Sequence, residues 1–283
     1  MVAGGGDAVT LGLGDLAFVG RLQAPSTLLL DLYPSAAPAY SLRQIRTGVT
    51  SVVRVRRSSD NTESDFTAVE VSNGTLASWV GAGNNGFVRT WYDQSGNGFH
   101  LEQTATTNQP RIVASGAVET EGGRPCIYYT AQTNRLNVPT SYTSNFHSVF
   151  KVCRVTNATG PARILVITNE QAVLRKTFSG AGYQMYGAGM SITSAGTMPT
   201  TRILLTGIWL HADGDMYAYS NGVNVLTNTT GAGAAASPNG YTIGGQPTEG
   251  LIGSVQEVII YRSDQSSNQS AIEANINAHY AIY

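Results

Sequence analysis

Two stretches of this 283-residue chain decide its fold. They are AYSLRQIRTGVTSVVRVRRSSDN at residues 39–61 and FVRTWYDQSGNGFHLEQ at residues 87–103. The first predicts a strand, a turn and a second strand in which arginines alternate with valines, so that one face lies in a core. The second predicts a strand over residues 87–92 and then a loop rich in Asp, Ser, Asn and Gly, which form tight turns. Both stretches indicate short strands joined by turns.

The composition agrees with an all-β protein of one large domain. Hydrophobic residues make up 42% of the chain, enough for a sizeable core, and only 12% are charged, against about 25% in average domains. The 32 glycines suit many short strands joined by turns. The net charge of −1 predicts no nucleic-acid partner, because nucleic-acid binders carry a basic patch. No apolar run reaches the ~18–20 residues that a membrane helix needs, so no membrane contact is expected.

The second half of the chain continues the strand pattern and ends in a helix. RILLTGIWLH at residues 202–211 predicts a buried strand, and DMYAYSNGVNVL at residues 215–226 predicts a hairpin. The hairpin turn is Asn221-Gly222, because this pair readily adopts positive φ angles. GLIGSVQEVIIY at residues 250–261 predicts a long strand. Apolar residues four apart then predict a helix from Gln269 to about Ala278.

The quoted stretches resemble the start of the catalytic domain of AbfB-type α-L-arabinofuranosidases. The same domain type is carried as a lectin-like module by many bacteriophage virion proteins. The pattern at residues 250–283 resembles the end of concanavalin-A-like sandwiches of the laminin-G and pentraxin kind. Together the resemblances imply an all-β, concanavalin-A-like antiparallel β-sandwich, or jelly roll, with a short C-terminal helix. We expect residues 1–37 to form an N-terminal docking arm and residues 38–283 to form the sandwich.

The resemblance also places the family's catalytic carboxyls. A retaining glycosidase needs two carboxyl groups about 5–5.5 Å apart, one as nucleophile and one as acid/base. The family acid/base follows a strand that ends in Ile-Gly-Gly, and the matching position here is Gln246, whose amide cannot shuttle a proton. The family nucleophile corresponds to Glu170. Glu249, three residues from the acid/base position, replaces the missing acid only if its loop folds back. The family's adjacent cysteine pair, a feature of its sugar pocket, is absent as well. Because Gln246 stands at the acid/base position, the resemblance implies that hydrolysis is lost.

The loop at residues 93–98 supplies candidate ligand-binding residues. Asp93 either faces a glycan or accepts hydrogen bonds from backbone N–H groups of its own loop. In the second case Asn97 also accepts backbone N–H hydrogen bonds. Turn chemistry favours the structural alternative. The candidate ligand-binding residues are Asp93, Asn97 and Gln246.

Other polar residues predict structure more often than chemistry. Asp60, Glu63 and Asp65 are expected in a solvated turn that pairs with Arg56 or Arg57. Asp213 and Asp215 predict a tight turn before a strand, because a calcium site needs six to eight oxygen ligands. Glu257 is expected either to face outward or to form a buried hydrogen bond. The four histidines lack metal-ligand spacing, so we predict neither a metal nor another cofactor. They are His100, His147, His211 and His279.

The two cysteines, Cys126 and Cys153, lie in apolar strand patterns without metal-ligand spacing. Buried free thiols are the favoured interpretation and a disulfide is the alternative.

These observations favour a non-catalytic bacteriophage virion protein. It would be a tail fibre, a tail-associated protein or a capsid-decorating protein, assembled in the host cytoplasm, with a lectin-like module for host-surface glycans. The first residues lack the pattern of a signal peptide, which agrees with a protein that leaves its cell in a virion. The arm is expected to bind other virion proteins, and a homotrimer is the expected oligomer. The alternative is an α-L-arabinofuranosidase-like glycosidase that uses Glu170 and Glu249, and a third possibility is a structural cement protein without a ligand.

Overall fold

The computed structural model describes residues 27–138, 148–157, 162–167, 172–176, 182–187, 190–194, 196–210, 214–229, 241–245 and 249–283. The helices are Leu29–Leu32 (α1), Ala68–Ser72 (α2), Thr75–Val80 (α3) and Gln269–Tyr280 (α4). The strands are Ala36–Ser41 (β1), Val53–Arg57 (β2), Glu63–Phe66 (β3), Gly86–Trp91 (β4), Leu101–Glu102 (β5), Arg111–Ala114 (β6), Ala117–Val118 (β7), Thr120–Glu121 (β8), Arg124–Pro125 (β9), Ile127–Tyr129 (β10), Leu136–Asn137 (β11), Ser148–Val155 (β12), Ala162–Ile167 (β13), Ala172–Lys176 (β14), Tyr183–Gly187 (β15), Met190–Thr193 (β16), Ile203–Leu210 (β17), Asp215–Ser220 (β18), Val223–Asn228 (β19), Tyr241–Ile243 (β20) and Gly253–Tyr261 (β21).

Two antiparallel sheets enclose the main core. The front sheet has the order β3-β2-β4-β5-β11-β20-β13-β14-β15-β16. The back sheet has the order β1-β21-β12-β17-β18-β19. Strands β6 and β10 join the two sheets, because β6 pairs with β4 and β10 pairs with both β6 and β21. The predicted antiparallel β-sandwich is confirmed.

The core between the sheets follows from the alternation that the sequence showed. Val53 and Val55 of β2 are fully buried in it, together with Trp91 of β4. The back sheet contributes Leu205 and Val258 to the same core. Successive side chains of a strand point to opposite faces, so Arg54, between the two valines, lies on the outer face of the front sheet.

A second core lies on the outer face of the back sheet. There Ile272 and Ile276 of α4 pack with Phe150 and Ile259, and α1 adds Leu29 to the same cluster. The predicted C-terminal helix is confirmed and begins at the expected residue.

The described end of the predicted arm contacts the sandwich. Leu30 in α1 is buried, and β1, which pairs with β21, begins at Ala36. Residues 1–26 lie outside the described residues, so the boundary at residue 37 stays a prediction.

Two local predictions are confirmed. Asn221 and Gly222, with φ angles of 53° and 76°, form the turn between β18 and β19. Cys126 and Cys153 are buried free thiols.

Among the helices of the described residues, none is long and apolar enough to cross a membrane.

The stability of the fold is expected to fall as the pH drops from about 6.5 to about 4 because of His279. Burial lowers the pKa of His279 from 6.5 to about 4. The charges of Arg43 and Arg124 add to this shift, and the charge of Glu257 opposes it. In that pH range the unfolded chain binds a proton that the folded chain does not, so protonation favours unfolding. Urea denaturation at several pH values checks this. His279→Gln is expected to flatten the dependence between those two pH values, and an unchanged slope would contradict it.

Candidate functional site

Polar side chains from six strands form one row across the outer face of the front sheet. The strand register pairs each of them with the next, and paired residues of neighbouring antiparallel strands share a face. This polar row consists of Asp65, Arg54, Thr90, Glu102, Asn137 and Thr242.

The residue beside each member of the row in sequence points into the core. These neighbours are all buried, which places the polar row on the face directed away from the core. They are Phe66, Val53, Trp91, Leu101, Leu136 and Ile243.

Hydrogen bonds and ion pairs fix the side chains of the row. Arg54 donates from Nε and Nη2 to the two carboxylate oxygens of Asp65, at 2.7 and 2.9 Å. At the other end, the Thr242 hydroxyl donates to Asn137 Oδ1 at 2.8 Å. Arg89 lies at a bulge in β4, and its Nη1 donates to Glu102 at 3.3 Å. The face therefore carries hydrogen-bond donors and acceptors, most of them held in fixed positions.

A polar cleft of about 390 Å³ opens at the Asp65 end of the row. We call it the row-end cleft. Its lining includes Asp65, Tyr92 and His100, and the loop with Thr50 and Ser51 completes it. The Tyr92 ring meets the His100 ring edge-on, with 5.0 Å between centroids. The cleft thus combines aromatic surface with hydroxyl and carboxylate groups.

The protonation states in the row-end cleft suit binding. The Tyr92 hydroxyl donates to Asp65 Oδ1 at 2.7 Å. The hydrogen bonds from Arg54, with that from Tyr92, lower the pKa of Asp65 below its usual value. Burial and the Asp65 carboxylate raise the pKa of Tyr92 to about 12. At neutral pH Asp65 is therefore an ionised acceptor and Tyr92 a neutral donor.

Asp93, which also borders the cleft, has a structural role. Its Oδ1 accepts the backbone N–H groups of Ala39 and Ser95, and its Oδ2 accepts that of Phe99 and the Ser95 hydroxyl. Its side chain is buried. The structural alternative from the sequence agrees with this geometry, because little of the carboxylate is left for a ligand.

Asn97 differs from the sequence-based expectation. Its Nδ2 donates to the Ala36 carbonyl and to the Ser95 hydroxyl, whereas it was predicted to accept backbone N–H bonds. Gly96 and Gly98 have φ angles of 89° and 75°, as the turn requires.

Of the residues predicted for catalysis, only Glu249 lies among the described residues. Glu249 forms an ion pair with Arg163. Glu170 and Gln246 lie outside the described residues, so their placement stays a prediction. No cluster of three or more metal-binding side chains occurs among the described residues.

The ion pairs predicted for the other acidic residues are confirmed in part. Asp60 pairs with Arg57 as expected. Of the two expected arginine partners, Arg57 is the one that pairs, whereas the Arg56 guanidinium donates to Gln109 and Asn61. Asp65 binds Arg54 instead, as described above.

The carboxylates of Asp215 and Glu257 both accept hydrogen bonds from side chains of the fold. Asp215 begins β18 and accepts a hydrogen bond from the Tyr217 hydroxyl, while Asp213 lies outside the described residues. Glu257 is fully buried and hydrogen-bonded, which was one of its two expected environments.

Solved structures with the same fold include α-L-arabinofuranosidases. A GH54 α-L-arabinofuranosidase soaked with a cyclic sulfate inhibitor matches with a TM-score of 0.66 at 14% sequence identity. A mutant soaked with 4-nitrophenyl α-L-arabinofuranoside gives 0.68 at 14%, and an arabinofuranosidase complexed with arabinofuranosyl-α-1,2-xylobiose gives 0.65 at 14%. This chain has their sandwich fold.

The match covers most of this chain but less of the enzymes. It spans 90% of this chain and 65% of the first two structures, which is less than two thirds of their length, and 64% of the third. At this identity the likeness shows the fold alone, an antiparallel β-sandwich. No protein-family model and no curated protein matches the chain.

Proposed function

We propose that this protein binds a carbohydrate on the polar row and in the row-end cleft, and does not cleave it. The observation that supports this best is the register that aligns polar side chains across six strands. A sugar hydroxyl both donates and accepts hydrogen bonds, and this face offers acceptors at Asp65, Glu102 and Asn137 beside a donor at Arg54. Strand backbones hold these groups in place, so little side-chain ordering opposes binding.

The row-end cleft is the proposed anchor of the ligand. Its volume of about 390 Å³ falls within the usual range for ligand sites, about 300–1,000 Å³. Tyr92 and His100 present rings against which the C–H face of a sugar can pack. The Asp65 carboxylate then accepts a hydrogen bond at the edge of the same ring, and the Tyr92 hydroxyl, which donates to Asp65, offers only an acceptor lone pair.

Three of the described carboxylates have surroundings that suit general acid catalysis poorly. General acid catalysis requires a carboxyl that holds a proton near working pH. Asp65 stays ionised beside Arg54, Asp93 is occupied by loop hydrogen bonds, and Glu249 is paired with Arg163.

The biological setting in this proposal is a bacteriophage virion. The chain would be a tail fibre, a tail-associated protein or a capsid-decorating protein, attached through residues 1–37 and assembled as a homotrimer. The resemblance of residues 39–61 and 87–103 to lectin-like modules of virion proteins supports this. Stoichiometric presence on purified particles by mass spectrometry and a trimeric mass by sedimentation are expected. Absence from particles would contradict the setting without affecting the carbohydrate site.

Tyr92→Ala is expected to weaken glycan binding about tenfold, because it removes a ring contact and the hydroxyl that holds the Asp65 carboxylate in place. A glycan array identifies the ligand, and calorimetry with that ligand measures the affinity. Tyr219→Ala is the matched control, since this half-buried tyrosine is on β18 of the back sheet. Equal affinities for the two variants would contradict the proposed site.

The alternative enzyme has its own test. Incubation with 4-nitrophenyl α-L-arabinofuranoside is expected to release no 4-nitrophenol above the buffer rate. Release that disappears in Glu170→Gln would overturn the non-catalytic part of the proposal and leave the binding face intact.

A further inference from the structure

A second cleft, of about 280 Å³, shares no residue with the row-end cleft. Four separate segments enclose it: the chain after β1, helix α2, strand β9 and the end of α4. One wall is apolar, and Val69 remains 66% exposed on it. The apolar wall consists of Leu42, Ala68, Val69 and Pro125.

The opposite side of this cleft carries positive charge that is only partly balanced. Arg43 is neutralised, because it donates two hydrogen bonds to the buried carboxylate of Glu257. Arg124 is exposed. Its cross-strand neighbour Glu121 forms its ion pair with Arg154, and no ion pair of Arg124 with a carboxylate occurs within the described ranges. The His279 ring meets the Tyr280 ring edge-on, with 4.6 Å between the ring centroids. An uncompensated guanidinium and an imidazole therefore face the same small cavity as the apolar wall.

We propose that this cleft binds a small molecule that carries one carboxylate on a compact apolar body. The carboxylate lies between Arg124 and His279, and the apolar body packs against Leu42, Val69 and Pro125. A guanidinium matches a carboxylate with two parallel hydrogen bonds, which gives both affinity and orientation. Enclosure by four segments suits a small molecule better than an extended protein surface.

The electrostatics of His279 support this assignment. Burial, then the charges of Arg43 and Arg124, lower its pKa against the opposing effect of Glu257. The positive charges of Arg43 and Arg124 that disfavour a proton on His279 favour an anion beside it, whereas burial opposes charge of either sign.

Benzoate and benzamide provide a matched pair of probes for the whole chain. They share a ring and differ in charge, so calorimetry separates the carboxylate from the apolar contact. Benzoate is expected to bind at least about tenfold more tightly than benzamide, because it adds a charge-assisted hydrogen bond. Its binding is also expected to shift the His279 ring resonances in NMR spectra, assigned with His279→Gln.

Variants test the assignment further. Arg124→Gln, at an exposed position, is expected to weaken benzoate binding about tenfold, whereas Arg135→Gln, outside the cleft lining, leaves it unchanged. Val69→Ser is expected to weaken both probes to a similar extent. The proposal is overturned if benzoate gives neither heat nor shifts at millimolar concentration, if benzamide binds equally well, or if Arg124→Gln binds like the original chain.

Discussion

Arg43→Met is expected to lower the free energy of unfolding by about 3–5 kcal/mol at pH 7, because it leaves a buried carboxylate without its cation. Glu257 is fully buried, and Arg43 bonds both of its oxygens, at 2.8 and 3.0 Å. Ser41 and Tyr280 add hydroxyl hydrogen bonds to the same carboxylate. These two neutral donors cannot replace the lost charge.

The pH dependence follows from the pKa of Glu257. Burial by itself raises this pKa, but the charge and hydrogen bonds of Arg43, with the Ser41 hydroxyl, hold it below its usual value. A depressed carboxyl pKa contributes stability above the unfolded pKa, and that stability is lost as pH falls through the folded pKa. Without Arg43 the buried carboxyl becomes easier to protonate. The loss caused by Arg43→Met should therefore be larger at pH 7 than at pH 4.

Urea denaturation at both pH values measures the effect. Arg54→Met is the control, since it also breaks a two-bond pair with a carboxylate but at an exposed site, where about 0–1 kcal/mol is usual. Adding Glu257→Leu to Arg43→Met should recover part of the loss, because no buried charge then remains. A loss for Arg43→Met no larger than that for Arg54→Met would contradict this interpretation.

Asp93→Ala is expected to cost about 2–4 kcal/mol, because it leaves buried backbone N–H groups without acceptors. The Ala39 N–H that binds Asp93 belongs to β1 and is buried, so water cannot easily replace the carboxylate. The same residue fixes the turn through Ser95 and Phe99. The effect should therefore reach both β1 and the loop beside the row-end cleft.

Asn97→Ala is the matched control for Asp93→Ala. Asn97 belongs to the same loop but donates only through Nδ2, to Ala36 and Ser95, so about 1 kcal/mol is expected. Thermal denaturation and glycan calorimetry together separate structure from binding. An Asp93→Ala variant of full stability that has lost glycan binding would contradict the structural role and support a ligand contact.

The fold was predictable because several strands are long enough to show a period. The alternation of Val53, Arg54 and Val55 predicted which side of β2 faces the core. The run at residues 250–261 predicted β21. Local chemistry was equally informative, since the turns at residues 93–98 and at Asn221-Gly222 use residues that tolerate positive φ angles.

The polar row was less predictable for a physical reason. Strands β5 and β11 each have two residues, too few to display an alternation. Glu102 and Asn137 join the row only through register, and the bulge at Arg89 shifts that register within β4. Sequence spacing could not place these side chains beside Arg54. Likewise, Arg43 and Glu257 lie 214 positions apart and meet only because β1 pairs with β21.

The most direct test of carbohydrate binding on the polar row is a crystal structure of this chain with the strongest ligand from the glycan array. We expect one sugar ring in the row-end cleft, packed against Tyr92, with hydroxyls hydrogen-bonded to Asp65. The remaining rings should follow the row towards Glu102 and Asn137. A glycan bound away from the outer face of the front sheet, with the polar row still in contact with solvent alone, would contradict the proposed function.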